Sequence, residues 1–181
     1  IDPVTGERRE SSLGVGHVES RLGDAAGDPA ATTARDIDAA IGRTSFFHFH
    51  DTSASSRLRA NARAEDDRYL RSDGSNLAAY LRTLATGGSD GARAAWKRIG
   101  LLVRRIAPFV DRLAPAPVSN GTPDAAAIRL DWVDDQGELF GPHHLSDGTL
   151  RAVALITALA QPTDRLPAFI SIDEPELGLH P

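Results

Sequence analysis

The run Phe169-Ile170-Ser171-Ile172 reads as a short apolar strand, and it ends in two adjacent carboxylates, Asp173 and Glu174, followed by Pro175. Open α/β sheets gather their ligands at the carboxyl ends of strands, so this is a place for chemistry. If the strand continues, side-chain alternation points Asp173 and Glu174 to opposite sides and gives them different tasks. One carboxylate can hold a hydrated Mg²⁺ while the other reaches a water aimed at a γ-phosphate. Pro175 ends the strand. Taken alone, a bare Asp-Glu pair reads better as a strand ending in a solvated acidic turn.

A second group lies upstream in Leu145-Ser146-Asp147-Gly148-Thr149-Leu150-Arg151. Ser146 or Asp147 can cap the helix that follows, and Gly148 lets backbone approach a ligand closely. The helix amino terminus, with free N–H groups and partial positive charge, is an anion site. The same heptad also suits a capped, buried helix that binds nothing. His48 and His50 share one face of a predicted strand and have metal-ligand side chains, but no third ligand is in view. A packed or exposed pair is the simpler reading. The chain has no cysteine, which removes thiolate catalysis, disulfides and cysteine-based zinc sites together.

These residues need elements to position them. Residues 1–34 carry polar, glycine-containing stretches at Thr5-Gly6-Glu7 and from Gly23 to Thr33, with short apolar patches at Leu13, Val15 and Val18, and read as hairpin or linker. Asp36 to Ile41 predicts a short helix, and Thr44 to Phe49 an aromatic, buried strand. Residues 51–74 are polar and rich in Ser, Arg, Asn and Asp, as a loop would be; contact with DNA is the functional alternative to a solvated surface. Ser75 can cap a helix over Asn76–Thr86 that Gly87-Gly88 ends.

Asp90 starts another helix, with Ala92, Ala95, Trp96, Ile99, Leu102, Val103 and Ile106 at helical spacing and Pro108 as its stop. Its arginine-bearing faces read as solvated. Ala114 to Pro117 is a linker or sheet edge. Ile128, Leu130 and Trp132 alternate as in a half-buried strand, which Asp134 to Gly137 turns back into Glu138-Leu139-Phe140. The helix from Gly148 to Ala160 is apolar on nearly all sides and must be buried. The strand from Ala168 to Asp173 has the composition of one inside a parallel sheet.

Composition bounds the rest. With 41% hydrophobic and 25% charged residues the 181-residue chain is that of an ordinary soluble globular protein. Its formal charge of -5 argues against a broad nucleic-acid-binding surface and leaves room only for a local one. No apolar run spans a bilayer and no signal peptide is present, so a cytoplasmic location without membrane contact is expected. The chain starts at Ile1, contains no Met and stops directly after a motif, so an internal fragment is expected.

The segment Leu145 to Arg151 resembles the Leu-Ser-Gly-Gly-Gln signature of ABC-type ATPases, with Asp147 in place of the first Gly and Thr149 in place of Gln. Phe169 to Pro175 resembles their Walker B strand. Glu176-Leu177-Gly178-Leu179-His180-Pro181 resembles the D-loop of the AAA_21 and RecF/SMC-like branch, with His180 where the common motif has Asp. Signature, buried helix, apolar strand, paired carboxylates and D-loop stand in the order of such an ATPase, and the joint match is more specific than any one motif. A looser likeness covers His48 to Ser53, Arg68-Tyr69-Leu70, Asp73 to Leu81 and Phe140 to His144. There, an Asn76-Leu77-Ala78 segment would begin a helical insertion; a plain helix start explains the same residues.

The resemblance implies an α/β P-loop NTPase fold of ABC type, truncated at both ends, with a helical lid or insertion. Residues 1–34 would end a preceding part, 35–113 would hold the aromatic strand and insertion, and 114–181 the β-hairpin, signature helix, Walker B strand and D-loop. The implied cofactors are ATP and Mg²⁺. Asp173 would hold the metal, Glu174 would activate water, and Ser146, Asp147, Gly148, Thr149 and His180 would serve nucleotide binding. The implied partner is a second copy in an ATP-dependent homodimer, acting on DNA in repair or recombination, or alternatively gating a nuclease or toxin in phage defence. No Gly-x-x-x-x-Gly-Lys-Ser/Thr occurs in the 181 residues, so this stretch is not expected to hydrolyse ATP by itself.

Overall fold

The computed structural model describes residues 22–27, 32–118 and 127–176. The elements in chain order are α1 (Leu22–Ala26), α2 (Thr32–Gly42), β1 (Thr44–Phe47), β2 (Ala62–Arg63), α3 (Leu77–Thr86), α4 (Asp90–Ile106), β3 (Val110–Val118), β4 (Ala127–Asp134), β5 (Leu139–Phe140), a 3-10 turn (Pro142–His144), α5 (Asp147–Leu159) and β6 (Phe169–Ile172). The chain is a mixed helix and sheet protein in two compact units. One comprises residues up to Ser45 with Pro167–Ile170, and the other Phe46–Leu166 with the residues from Ser171 on.

In the first unit α1 packs on α2, and the Ala168 amide donates to the Arg43 carbonyl at 2.9 Å. Residues 22–26 and 32–42, expected in part as hairpin or linker, are thus helical. Their apolar positions, Ile37 and Ile41 among them, sit at helical spacing once alanines are counted as helix formers. The expectations placed on Thr5-Gly6-Glu7, Leu13, Val15 and Val18 lie outside the described residues.

In the second unit α3 and α4 form a hairpin, and α3 lies across an antiparallel sheet of order β2-β4-β3 with β5 paired to β4. Tyr80, Leu81, Leu84, Ile99, Val103, Val110, Leu130, Leu150 and Val153 are buried at its centre. The expected β-hairpin is present: the Gly137 amide donates to the Asp134 carbonyl at 3.2 Å, and Gly137 has φ 89, which favours glycine. Trp132 stacks on Phe140 at 4.9 Å and donates its indole N–H to the Gly141 carbonyl.

Several expectations are narrowed or corrected here. Of the two readings of Ala114 to Pro117, linker or sheet edge, the second holds: the segment is part of β3, where Pro115 faces Leu130 and Pro117 faces Ile128 of β4. Two residues apart, both prolines lose an N–H on the same side of the strand, and β3 is an outer strand of this sheet, where that loss is tolerated. The buried stripe of α4 is narrower than expected: Ala92, Ala95, Ile99 and Val103 are buried, while Leu102 and Ile106 are exposed. Arg98 is not simply solvated, since it donates to the carbonyls of Ala160 and Gln161 past the end of α5.

The strands β1 and β6 form a separate two-stranded sheet. Its flanking bonds, Ala168 N–H to Arg43 O and Asp173 N–H to Phe47 O at 3.0 Å, advance in the same direction along both strands, as in a parallel pair. Among the described residues no helix is long and apolar enough to cross a membrane.

Candidate functional site at the end of strand β6

Strand β6 stops at Ile172, so Asp173 and Glu174 lie beyond it. Glu174 is, among the described residues, the one non-glycine residue with positive φ, at 44°. A left-handed conformation at an L-residue costs roughly 1–2 kcal/mol and places Glu174 outside the alternation of a strand. The expectation that the two carboxylates point to opposite sides is therefore corrected: both reach the ring of His50. Nε2 of His50 lies 3.1 Å from Oδ2 of Asp173, and Nδ1 lies 3.4 Å from Oε2 of Glu174. The three side chains are 37%, 72% and 58% exposed respectively, so the group is open to a ligand. A cleft of about 450 Å³ opens beside it, lined by Phe47, His48, His50, Ser171, Ile172 and Asp173.

His50 is held by its own backbone. Past β1 the carbonyls of Phe49, His50, Asp51 and Thr52 all accept hydrogen bonds from side chains instead of a ladder. Arg151 Nε donates to Phe49 O at 2.8 Å and Arg151 Nη2 to His50 O at 2.7 Å. The Ser56 hydroxyl donates to Asp51 O, and Arg59 Nε donates to Thr52 O at 2.9 Å. Arg59, Arg151 and Ser56 are all buried. Phe49 packs on Phe47 and beside Gly74, whose φ of 69 favours glycine. Asp51 is held below the usual carboxylate range by the Ser53 hydroxyl and then the Ser53 amide. His48 does not join His50: its ring is exposed and its amide donates to Ser72 O.

The second predicted group forms the start of α5. Ser146 is the N-cap, its hydroxyl accepting from the Thr149 amide at 3.1 Å and hydrogen-bonded to the Thr149 hydroxyl at 2.8 Å. Asp147 is the first helical residue, and its carboxylate is paired with Arg59 at 2.6 Å. Gly148 is half-buried in the first turn. Ser146 and Thr149 thus spend their hydroxyls on each other and on the helix end, and Asp147 offers a ligand its amide more readily than its carboxylate. His180, with Leu177, Gly178, Leu179 and Pro181, lies outside the described residues.

Two residues matter to this geometry through contacts not anticipated from the sequence. Arg151 was the charged residue in a helix otherwise apolar, and a buried charge needs partners; that was the available signal. Asn76 was read as a helix start, but its side chain makes no cap. It is buried, accepting from the Arg71 amide and donating to the carbonyls of Asp66 and Tyr69.

The donor set fits Mg²⁺. Two exposed carboxylates, Asp173 and Glu174, suit an ion that keeps several waters and takes one or two carboxylates along with substrate phosphates. Over residues 22–181 the chain matches the family model AAA_21, described as "AAA domain, putative AbiEii toxin, Type IV TA system". The chain belongs to this family. It is accordingly a P-loop NTPase-type domain, of the nucleotide-binding, ATPase-like kind that takes nucleotide with Mg²⁺. No curated protein and no solved structure matches it.

Proposed function

We propose that this chain supplies the water-activating and γ-phosphate-clamping parts of an ABC-type ATPase that closes as a head-to-tail homodimer, with the phosphate-cradling loop provided elsewhere in the protein. The observation that supports it best is the pair of exposed carboxylates at the end of β6, with Glu174 turned by its left-handed backbone out of the strand direction. Asp173 and Glu174 sit at the strand's carboxyl end, where α/β folds bind ligands. Asp173 would hold Mg²⁺, which when bound supplies charge neutralisation on phosphate oxygens. Glu174 accepts a proton from the attacking water and orients its lone pair toward the γ-phosphorus. Ser146, Gly148 and the first-turn amides of α5 present hydrogen-bond donors and the positive helix end to the γ-phosphate held by the partner subunit. His180 would complete the nucleotide contacts from the D-loop.

Work on DNA in repair or recombination is one use of such a clamp. The other is a nucleotide-gated module that controls a nuclease or toxin in phage defence, and its support is the family's description, which includes "putative AbiEii toxin, Type IV TA system". Stimulation of hydrolysis by DNA separates the two.

The direct test is Glu174→Gln in the complete protein. ATP binding should persist while turnover falls by roughly 100-fold or more, the scale of a lost general base. Hydrolysis at the wild-type rate would exclude Glu174 from that role.

A further inference from the structure

From the contacts around His50 we infer that this residue is a positioning residue of the hydrolytic site, orienting the Asp173 carboxylate by a hydrogen bond beside Glu174. The inference rests on the ATPase reading above.

Three observations converge on it. The first is that one imidazole meets both carboxylates, Asp173 through Nε2 at 3.1 Å and Glu174 through Nδ1 at 3.4 Å, though His50 and these residues are far apart in sequence. Asp173 makes the last backbone bond to β1, its amide donating to Phe47 O at 3.0 Å, and Glu174 lies beyond that bond. A residue in the left-handed region persists only when its surroundings hold it, and the Glu174 side chain lies against this ring.

The second is the immobility of the support. Four successive carbonyls around His50 are tied by buried Arg151, Ser56 and Arg59, and Phe49 before it is buried. Fixing the backbone on both sides of a half-exposed ring fixes where the ring can be, as a group that orients other side chains requires.

The third is the chemistry of imidazole. A neutral ring has one N–H and one lone pair. The shorter contact places the N–H on Asp173, which leaves that carboxylate a second oxygen for a hydrated cation. Nδ1 then carries the lone pair and makes no hydrogen bond to Glu174 at 3.4 Å, so the ring holds Asp173 directly and only bounds the space open to Glu174. A side chain with no N–H at this position would leave the Asp173 carboxylate free to rotate. Residues that orient metal-holding carboxylates in this way typically matter by roughly 10–100-fold in affinity or activity when removed.

The test compares His50→Leu and His50→Gln in the complete protein. The amide of Gln keeps an N–H for Asp173, whereas Leu fills the space without one. Turnover of His50→Leu should fall about tenfold or more, chiefly in kcat with KM for ATP little changed, and His50→Gln should recover most of it. A readout without turnover comes from the Glu174→Gln background. There, binding of a fluorescent ATP analogue should need severalfold more Mg²⁺ for half-saturation when His50 is Leu, because Asp173 is no longer held. If the Leu and Gln variants have equal kcat and equal Mg²⁺ dependence, both within twofold of the parent, His50 has no positioning role even though the ATPase reading stands. If the wild-type protein neither binds nor hydrolyses ATP, the ATPase reading itself falls, and this inference with it.

Discussion

At the scale of single residues, polar side chains in this protein do most of their work on backbone. Asn76 is fully enclosed, and three backbone groups of the 66–71 loop depend on it. Asn76→Ala should strand those groups and lower stability by about 2 kcal/mol, read as a lower urea midpoint with an unchanged slope. A loss below about 0.5 kcal/mol, the range of an ordinary surface substitution, would mean that the loop finds other partners. The residue type alone could not have shown this, since Asn before Leu-Ala-Ala satisfies every local rule for a helix start. Only the return of the 66–71 chain to the same spot turns it into a brace. Glu174 is similar: its acidic type was legible, while its left-handed backbone was not.

At the scale of elements, α5 carries two assignments at once. Its amino-terminal end presents Ser146, Asp147 and Thr149, and one turn later Arg151 reaches back to the segment that carries His50. Arg59 makes a parallel connection from Thr52 to Asp147. The buried guanidinium of Arg151 makes charge-assisted bonds to two carbonyls, and Arg151→Met should leave both unsatisfied at a cost of about 2–3 kcal/mol. Hydrogen exchange would locate the effect: amides of residues 50–53 should lose protection, while those of α3 and α4, packed independently of this link, should keep theirs. Equal loss everywhere would show that Arg151 supports the whole unit instead of the His50 segment. The helix itself was legible from its cap and its apolar residues, and its boundaries differ from expectation by one residue at each end. Arg98 joining α4 to the end of α5 was not, because the partner carbonyls are distant in sequence.

At the scale of the whole molecule, the proposed clamp requires two copies. In that arrangement the start of α5 faces the nucleotide of the other subunit, and a bulky cation at the N-cap position would occupy the space of the γ-phosphate. Ser146→Arg, in protein that also carries Glu174→Gln, should abolish ATP-dependent dimerisation measured by light scattering after size exclusion. Nucleotide binding by the monomer should survive. Because Ser146 caps α5 with one hydrogen bond to Thr149, the loss of that cap should cost only about 1 kcal/mol, so the variant should fold. Dimerisation that persists with ATP would remove the signature role from Ser146.

The sequence by itself determined the order of motifs, the hairpin, the main helices and the identity of the paired carboxylates. Each of those is written in neighbouring residues, through hydrophobic period, turn chemistry and capping, all of which act over a few positions. Tertiary structure alone decided that Asp173 and Glu174 meet on one imidazole, that Arg59 and Arg151 hold the chain beneath it, and that a proline-rich stretch is a strand. Those facts depend on which distant segments share a hydrogen bond. A carbonyl at residue 50 and a guanidinium at residue 151 carry no local mark of their pairing; burial made it necessary, and burial is a property of the folded whole.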